Sequence, residues 1–312
     1  MKTVENTRPE EDILDGLLQL ERRRVFGTFD PDGIVSVPVS DEDRVWREHN
    51  TEMHPYREIL VILKGEFQFR LASYVCEGRA GDVVLIDAFE EHDRFHPPSV
   101  RNCLTLWLYC CPQTILCIVN RTRDGGNKIL MRFEFARPEF CMTLNTAWRD
   151  AVGGQRSAAA AKLEINGVVD VLRGAFAEKI LASERSGVRR FSEVQNRQYL
   201  TVMAAMAYIN DHLNENPQLD KLAKRSGYSA PHFARLFRQY SGYGFRDYID
   251  FVRMGMYRKM YFAEHMHKKE IALELGFSSS SSLIHWLRGA APRLTAYAPA
   301  AKPVANISQE QK

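Results

Sequence analysis

The sequence predicts an α+β multidomain fold, with an N-terminal β-barrel followed by helices and an all-α C-terminal domain. Three observations lead to this prediction. Short alternating apolar runs broken by Gly, Pro and Asp fill residues 25–135, helical periodicity replaces them from residue 138, and one helix-turn-helix pattern occurs twice after residue 199. Many short strands with regular turns are typical of barrels, and a pattern repeated at a fixed offset indicates a repeated structural unit.

Turn signals separate the predicted strands. The run EILVILKGEFQFRL, residues 58–71, predicts two strands around a turn at Lys64-Gly65. The runs GDVVLIDAF and NCLTLWLYC predict two more. Farther along, CIVNRT and KILMRFEF flank Asp124-Gly125-Gly126, which is a hairpin signal.

The helices after the barrel carry one apolar stripe, which suits packing against a single partner. Two partners are open: a second copy of the chain, or the barrel of the same chain. Residues 182–190 are polar with a glycine and predict an interdomain linker. The stripe consists of Ile165, Val169, Leu172, Phe176 and Ile180.

The stretch LDKLAKRSGYSAPHFARLFRQY, residues 219–240, predicts two short helices joined by a tight turn. Gly227 is expected to end the first helix, because glycine adopts the left-handed conformation without steric cost. Ser229 is a candidate N-cap, and Pro231 suits the first turn of the second helix. The apolar side chains of that helix share one face and leave a basic outer face, the pattern of a helix that enters a major groove.

The same pattern returns 49 residues later. The motif LA-x2-SGYS at residues 222–229 becomes IA-x2-LGFS at residues 271–278. Residues 245–256 keep helical spacing between the copies, so a long helix is expected to connect them. Two such units on one connector can place reading helices in successive major grooves, about 34 Å apart.

On these motifs, residues 199–297 resemble the DNA-binding domain of the AraC/XylS transcriptional regulators. The matching residues are the GYS corner, Phe233, Arg235, Phe237, Gly244-Phe245, Tyr248, Arg253 and the IA-x3-GF corner of the second copy. Arg235 is the expected base contact, because a guanidinium matches the O6 and N7 acceptors of guanine. The resemblance implies further DNA-facing positions, and basic side chains nearby are candidates for phosphates. Together with Arg235 these positions are Pro231, His232, Ala234, Arg238, Ser280, Ser281, Ser282, His285 and Arg288, with Lys221 and Arg253 as further phosphate candidates.

The second copy departs from the family pattern. His267-Lys268 stand where a capping residue and an apolar residue are expected, and His285 stands where an arginine is expected. A histidine is mostly neutral at pH 7 and offers one donor in place of a charged fork. We therefore predict that the first copy carries most of the base discrimination and the second mainly adds phosphate affinity.

Charge is distributed unevenly along the chain. The whole sequence carries 42 Lys+Arg and 39 Asp+Glu. Residues 199–312 hold 15 basic and 9 acidic residues, a net charge of +6, whereas the rest holds 27 and 30, a net charge of −3. The basic excess therefore coincides with the predicted DNA-binding domain, as a phosphate-binding surface requires.

Composition is that of an ordinary globular protein, with 45% hydrophobic and 26% charged residues. No apolar run approaches the ~20 residues of a membrane span, and the acidic start lacks the features of a signal peptide, so we expect a cytoplasmic protein without a membrane partner. The six cysteines show no CxxC and no zinc spacing. We interpret them as buried and reduced; a redox or metal sensor at Cys110-Cys111 is the alternative.

Residues 45–100 resemble the two cupin motifs, and cupin-like barrels are the usual sensor domain of AraC/XylS regulators. His54, Glu58 and Gly65 have the spacing H-x3-E-x6-G, and Gly81 and His92 mark the second motif. In metal-binding cupins the corresponding positions hold a divalent ion, and here they are Glu52, His54, Glu58 and His92. Because Glu52 departs from that pattern, we favour a fold marker or an organic-ligand pocket, and we predict no metal and no cofactor.

An organic effector needs apolar walls and a few polar groups. Aromatic rings could stack on a sugar, and Arg57 could bind a carboxylate or hydroxyls. Core packing of Trp107 and solvent exposure of Arg57 are the alternatives. The candidate effector residues are Trp46, His54, Tyr56, Arg57, Glu58, His92 and Trp107, with Tyr109 beside them.

These observations predict a cytoplasmic, sequence-specific transcription regulator. Its expected partners are double-stranded DNA, a small-molecule effector such as a sugar, a second copy of the chain and, as a further candidate, RNA polymerase. The rival interpretation is a metal-dependent cupin enzyme with a helical appendage. The predicted segments are a cupin-like barrel with an N-terminal arm (1–137), dimerisation helices (138–185), a linker (186–198), a tandem helix-turn-helix domain (199–297) and a disordered tail (298–312).

Overall fold

A computed structural model of the chain describes residues 9–18, 21, 24–30, 34–54, 56–111, 115–135, 138–152, 154–186 and 193–294. The chain divides into two compact units. The first comprises Met1–Glu52 and Tyr56–Arg190, and the second comprises Phe191–Lys312 with the short segment Met53–Pro55. None of the helices in the described part of the chain is long and apolar enough to cross a membrane. The predicted tail lies outside the described residues.

Within its described residues, the first unit contains nine strands and four helices. The helices are α1 (Pro9–Leu18), α2 (Asp41–Asn50), α3 (Pro138–Val152) and α4 (Ala158–Ser186). The strands are β1 (Val25–Gly27), β2 (Thr51–Glu52), β3 (Arg57–Leu71), β4 (Tyr74–Arg79), β5 (Val83–Ile86), β6 (His92–Asp93), β7 (Asn102–Cys110), β8 (Ile115–Arg123) and β9 (Gly126–Phe135).

These strands form one sheet with the order β1-β5-β3-β7-β8-β9. The pairing of β1 with β5 is parallel, and the other pairings are antiparallel. The long strand β3 pairs with β5 and β7 along its first half and with β4 and β6 along its second half. Strand β3 is therefore shared by two parts of the sheet.

The turn predicted at Lys64-Gly65 is wrong. The chain continues through these residues as the single strand β3, and its register with β7 shifts between Ile62 and Lys64. Gly65 has a φ of +84°, and a Cβ atom there would lie 2.0 Å from the carbonyl oxygen of Asn102. Glycine is therefore needed for a bulge and a close backbone approach, two roles that resemble a turn signal in sequence.

The hairpin predicted at Asp124-Gly125-Gly126 is confirmed. Strands β8 and β9 pair antiparallel, with Arg123 opposite Gly126. Asp124 and Gly125 form the two-residue loop and have positive φ values of 46° and 77°. Two positive φ values match the right-handed twist of the strands, which is why Asp-Gly is favoured at this position.

The apolar stripe of α4 packs inside its own unit. Ile165, Val169, Leu172 and Phe176 are at most 1% exposed and belong to one core with buried residues of the sheet. The rings of Phe133 on β9 and Phe176 meet edge to face, with centroids 4.6 Å apart. Of the two partners considered for this stripe, the chain's own sheet is therefore the one observed; the side chain of Ile180 lies outside the described set.

In the described part of the second unit, the regular secondary structure is helical. Helix α5 begins at Glu193, inside the segment predicted as a linker, of which residues 187–192 lie outside the description. A 3₁₀ turn at Leu213–Glu215 follows it, and a π-helical turn at Lys259–Ala263 follows α8. The helices are α5 (Glu193–Asp211), α6 (Leu219–Arg225), α7 (Ala230–Ser241), α8 (Phe245–Arg258), α9 (Lys268–Glu274) and α10 (Ser280–Leu294).

The sequence repeat corresponds to a repeated backbone geometry. After α6, the N–H of Tyr228 donates to the carbonyl of Ala223, and Gly227 has a φ of +73°. After α9, the N–H of Phe277 donates in the same way to the carbonyl of Ala272, and Gly276 has a φ of +76°. Both short helices therefore end in the left-handed C-terminal motif that glycine favours. Helix α8 lies between the two copies, as the helical spacing of residues 245–256 predicts.

Candidate functional site

Helix α7 presents the expected base-reading residue to solvent. Phe233 and Phe237 are fully buried, so α7 is fixed on its inner side and leaves Pro231, Arg235 and Arg238 exposed. The ring of Phe237 packs edge to face on that of Tyr248 in α8, with centroids 5.4 Å apart. The basic outer face predicted for this helix is therefore present.

His232 accompanies Arg235 on this outer face. The Nη2 of Arg235 donates to Nδ1 of His232 over 3.4 Å, and the ring of Tyr228 lies 5.1 Å from the histidine ring. His232 and Ala234 are half-buried. The two side chains are therefore neighbours on the outer face of α7.

The predicted capping role of the Ser229 side chain is not observed. Ser229 occupies the N-cap position of α7 with extended backbone angles, but its side chain makes no capping hydrogen bond. Its carbonyl accepts the first helical hydrogen bond, from the N–H of Phe233. The start of α7 is therefore closed by a backbone hydrogen bond and not by a side-chain cap.

Some serines at the start of α10 make capping hydrogen bonds, and others face solvent. The hydroxyl of Ser279 accepts from the N–H of Ser282, and that of Ser282 accepts from the N–H of Ser279, both over 3.1 Å. Ser282 is therefore engaged in the cap, whereas Ser281, His285 and Arg288 are exposed and Ser280 is half-buried.

The start of α9 has a capping hydrogen bond, although His267-Lys268 depart from the family pattern. The carboxylate of Glu270 accepts a hydrogen bond of 3.0 Å from the backbone N–H of His267. This hydrogen bond is half of a capping box. Glu270 therefore caps the start of α9.

The first unit gathers a second group of polar residues. The ligand-type atoms of Glu52, Glu58 and His92 all lie within 4.8 Å of one another. The Nε2 of His92 is 3.3 Å from Oε2 of Glu58 and 3.8 Å from Oε1 of Glu52. Glu58 and His92 are fully buried. The fourth residue of the cupin-like pattern, His54, belongs to the segment Met53–Pro55 of the second unit.

The charge state of His92 follows from this group. Burial alone would lower the pKa of His92, but the hydrogen bond and charge of Glu58, with the charge of Glu52, raise it to about 9. A protonated His92 therefore balances the buried carboxylate of Glu58. Arg94 balances Glu52, donating from Nε to its Oε2 over 2.8 Å.

Glu52, Glu58 and His92 offer ligand types for the divalent ion that the resemblance to cupins implies. Nδ1 of His92 lies 2.8 Å from the carbonyl of Glu90, which directs Nε2 towards the carboxylates when the ring is neutral. Imidazole and carboxylate ligands suit ions such as Mn²⁺, Fe²⁺ or Zn²⁺. Glu52, Glu58 and His92 would hold the ion, which would supply Lewis acidity once it displaced the proton of His92.

Arg57 is occupied by its own unit, in contrast to the expected effector contact. Its Nε donates to Asp87 and its Nη1 to Asn145 of α3, each over 2.8 Å, and its guanidinium lies 5.6 Å from the ring of Trp148. Arg57 is 3% exposed, so it neither faces water nor is available to a ligand in this conformation. It joins β3 to α3.

The remaining effector candidates are mostly packed. Trp107 is 1% exposed among aromatic rings, as in the core alternative, and Tyr56 is buried against Tyr109 with centroids 5.7 Å apart. Trp46 on α2 is half-buried. A cavity of about 680 Å³ lies elsewhere in the unit, and the predicted effector residues are not among its described lining, which includes Arg24, Phe67, Gln68, Arg79 and Asp82.

Among the buried polar residues of this unit that sequence reasoning missed is a histidine. His96 is fully buried, its ring lies within 6.4 Å of those of Phe67, Phe69 and Trp107, and burial lowers its pKa to about 4. It is therefore a neutral histidine in an aromatic surrounding. A lone histidine before two prolines carries no spacing signal, so no sequence pattern pointed to it.

Comparison with known proteins bears on the second unit. Residues 222–291 match the family model of a helix-turn-helix domain. The regulatory protein PocR of Salmonella typhimurium is 32% identical over 77 residues, which make up 25% of this chain and 25% of that protein. The chain thus aligns with about a quarter of the length of this curated relative.

Solved structures of ToxT from Vibrio cholerae are more distant. The apo form of a ToxT variant shows 11% identity and a TM-score of 0.27, over 77% of this chain and 87% of that one. ToxT with a bound unsaturated fatty acid shows 10% identity and a TM-score of 0.25, over 77% and 85%. Scores this low do not establish a shared fold. The assignment rests on the helix-turn-helix match, the PocR identity and the two glycine corners: the second unit contains a helix-turn-helix domain.

Proposed function

We propose that the protein is a sequence-specific, DNA-binding transcriptional regulator. The observation that carries this proposal is the exposed outer face of α7, with Arg235 and Arg238, inside the segment that matches a helix-turn-helix domain. A guanidinium on such a helix can donate two hydrogen bonds to guanine in the major groove. The net charge of +6 over residues 199–312 supports phosphate binding around it.

The two copies of the helix-turn-helix pattern divide the work. Helix α7 reads bases through Arg235, aided by apolar contacts from Pro231 and Ala234. Helix α10 contributes phosphate contacts from Arg288 and from Ser280 and Ser281. His285 adds one neutral donor, and Ser282 serves the cap.

The first unit senses a small molecule and is a cupin-like domain. The polar group of Glu52, Glu58 and His92 supports this, because a site of this kind can bind the hydroxyls of a sugar-like carbon source. The protein acts in the cytoplasm as a homodimer and activates transcription in contact with RNA polymerase. Cys110 and Cys111 are buried, and burial raises the pKa of both thiols, which supports a structural role for them.

Selection of duplexes from a random library by the full-length protein tests this function. We expect one sequence family to be enriched, with footprints in neighbouring major grooves. The matched control is Arg235→Ala, whose selected sequences should lose one preferred base. Enrichment of no sequence, at any salt concentration from low to physiological, would contradict the proposal.

A metal-dependent enzyme is the second candidate, and the converging ligand-type atoms of Glu52, Glu58 and His92 favour it. Metal analysis of the purified protein separates the two functions, because an enzyme of this kind needs stoichiometric metal. The matched control is Glu58→Gln in the first unit, which should lower the bound metal without affecting the helix-turn-helix domain. Metal-free protein that still selects DNA would exclude this candidate.

A further inference from the structure

The two glycine corners of the second unit differ in their surroundings. A Cβ atom added to Gly227 would meet nothing within 4 Å. A Cβ atom added to Gly276 would lie 2.7 Å from the carbonyl oxygen of Leu213 and 3.0 Å from that of Asn214. The first corner is therefore open, whereas the second is seated on the backbone of the 3₁₀ turn that follows α5.

Asn216 holds this contact from the side of the 3₁₀ turn. It has a left-handed φ of +51°, and its Nδ2 donates to the carbonyl of Gly276 over 2.9 Å. Its Oδ1 accepts a hydrogen bond of 2.5 Å from Nη2 of Arg253. One side chain thus links the 3₁₀ turn, the second corner and α8.

Arg253 holds the same corner from the side of α8. Its Nε donates to the carbonyl of Leu275 over 3.1 Å, and its guanidinium lies 5.0 Å from the ring centroid of Phe277. A planar guanidinium can make these contacts together, whereas the single ammonium of lysine cannot. Arg253 is therefore directed at protein groups. The sequence had suggested a DNA phosphate as its partner.

Helix α10 is fastened to α8 as well. Nε1 of Trp286 donates to Asp250 over 2.8 Å, and the ring of Trp286 packs on that of Phe277 with centroids 5.3 Å apart. The corner before α10 and the helix itself are thus both fixed on α8. Helix α8 also packs on α7 through Tyr248. Helices α7 and α10 are therefore both held by α8.

We propose that Arg253 and Asn216 are positioning residues that fix α10 relative to α7 and so set the spacing between the two DNA segments that the protein contacts. This inference rests on the proposed DNA-binding function for its consequence, but its structural part can be measured without DNA. Neither residue is expected to touch a base.

The first measurement is a distance distribution between two spin labels in the full-length protein. The labels are placed at Gln239 of α7 and Gly289 of α10, both exposed, while the native cysteines are buried. Asn216→Gly keeps the left-handed backbone available and removes both hydrogen bonds. We expect this variant to broaden the distribution about twofold, because the seated corner becomes mobile.

Arg253→Lys should broaden the distance distribution in the same way, and Arg246→Lys is its control. Arg246 lies exposed on the same helix, so this change repeats the chemistry without touching the corner. A distribution of unchanged width in both Asn216→Gly and Arg253→Lys would overturn the proposal. If Arg253→Lys fails to fold, Asn216→Gly alone decides.

The second measurement uses the duplexes selected by the wild-type protein, with one base pair inserted between the two footprinted segments. One insertion turns the second segment by about 34°. We expect the wild type to lose about tenfold in affinity and the two variants to lose much less, with unchanged affinity for a duplex carrying only the first segment. Equal losses in all proteins would refute the positioning role. Absence of DNA binding by the wild type would refute the proposed function, and the label distances would still test the inference.

Discussion

Leu172 provides a test of where the apolar stripe of α4 is used. It is 1% exposed and packed in the core formed with the sheet. Replacement of a fully buried leucine by alanine removes the transfer free energy of the side chain and leaves a cavity. Such changes lower the free energy of unfolding by about 2–5 kcal/mol, and the good helix propensity of alanine recovers only a few tenths. We therefore expect Leu172→Ala to destabilise the first unit by about 3 kcal/mol.

Leu163 of the same helix supplies the matched control, because it is 74% exposed. Leu163→Ala should change the free energy of unfolding by less than about 0.5 kcal/mol. Urea unfolding followed by tryptophan fluorescence reports mainly on the first unit, which contains Trp46, Trp107 and Trp148. Sedimentation of each folded variant gives its oligomeric state. A Leu172→Ala protein with the wild-type unfolding midpoint, dissociated from a dimer, would refute this reasoning and restore the stripe as a seam between copies.

Three further predictions concern charged groups. The folded-state pKa of His92 is raised to about 9, so its pairing with Glu58 stabilises the fold fully below about pH 6.5 and is lost as pH rises through 9; His92→Gln should flatten the stability of metal-free protein over that window in thermal melts. Arg57→Ala should lower the unfolding free energy of the first unit by about 3–5 kcal/mol, since it breaks a buried ion pair, and an unchanged urea midpoint would contradict this. Arg235→Ala should weaken binding by about 1–3 kcal/mol at one base position, whereas His285→Ala should leave the base preference intact in titrations against single-base variants; the reverse pattern would show that α10 reads the bases.

The second unit could be predicted closely from its sequence, since its signals are local. Gly227 and Gly276 each end a short helix, and the positions of α6, α7 and α8 follow from apolar spacing over one or two turns. The hairpin at Asp124-Gly125 belongs to the same class, because two adjacent positive φ values leave a strong local signature.

Contacts between distant residues were beyond such reasoning. The role of Gly65 depends on the carbonyl of Asn102 on a neighbouring strand, and that of Arg57 depends on Asn145, 88 residues away. The partner that covers Leu172 could not be predicted either, because an apolar stripe on a helix shows only that some surface packs against it. The convergence of Glu52, Glu58 and His92 was anticipated through a resemblance to cupins, since their spacing alone does not bring them together.

The π-helical turn at Lys259–Ala263 has a consequence for changes in chain length. A π turn holds about one residue more than an α turn, so it accommodates an inserted residue without breaking the helix. Deletion of one residue here would return the segment to α geometry and turn the chain leaving α8 by about 100°. Such a rotation would pull against the contacts of Arg253 and Trp286 that hold the corner before α10, and α10 itself, on α8. The length of the π turn is therefore matched to these contacts.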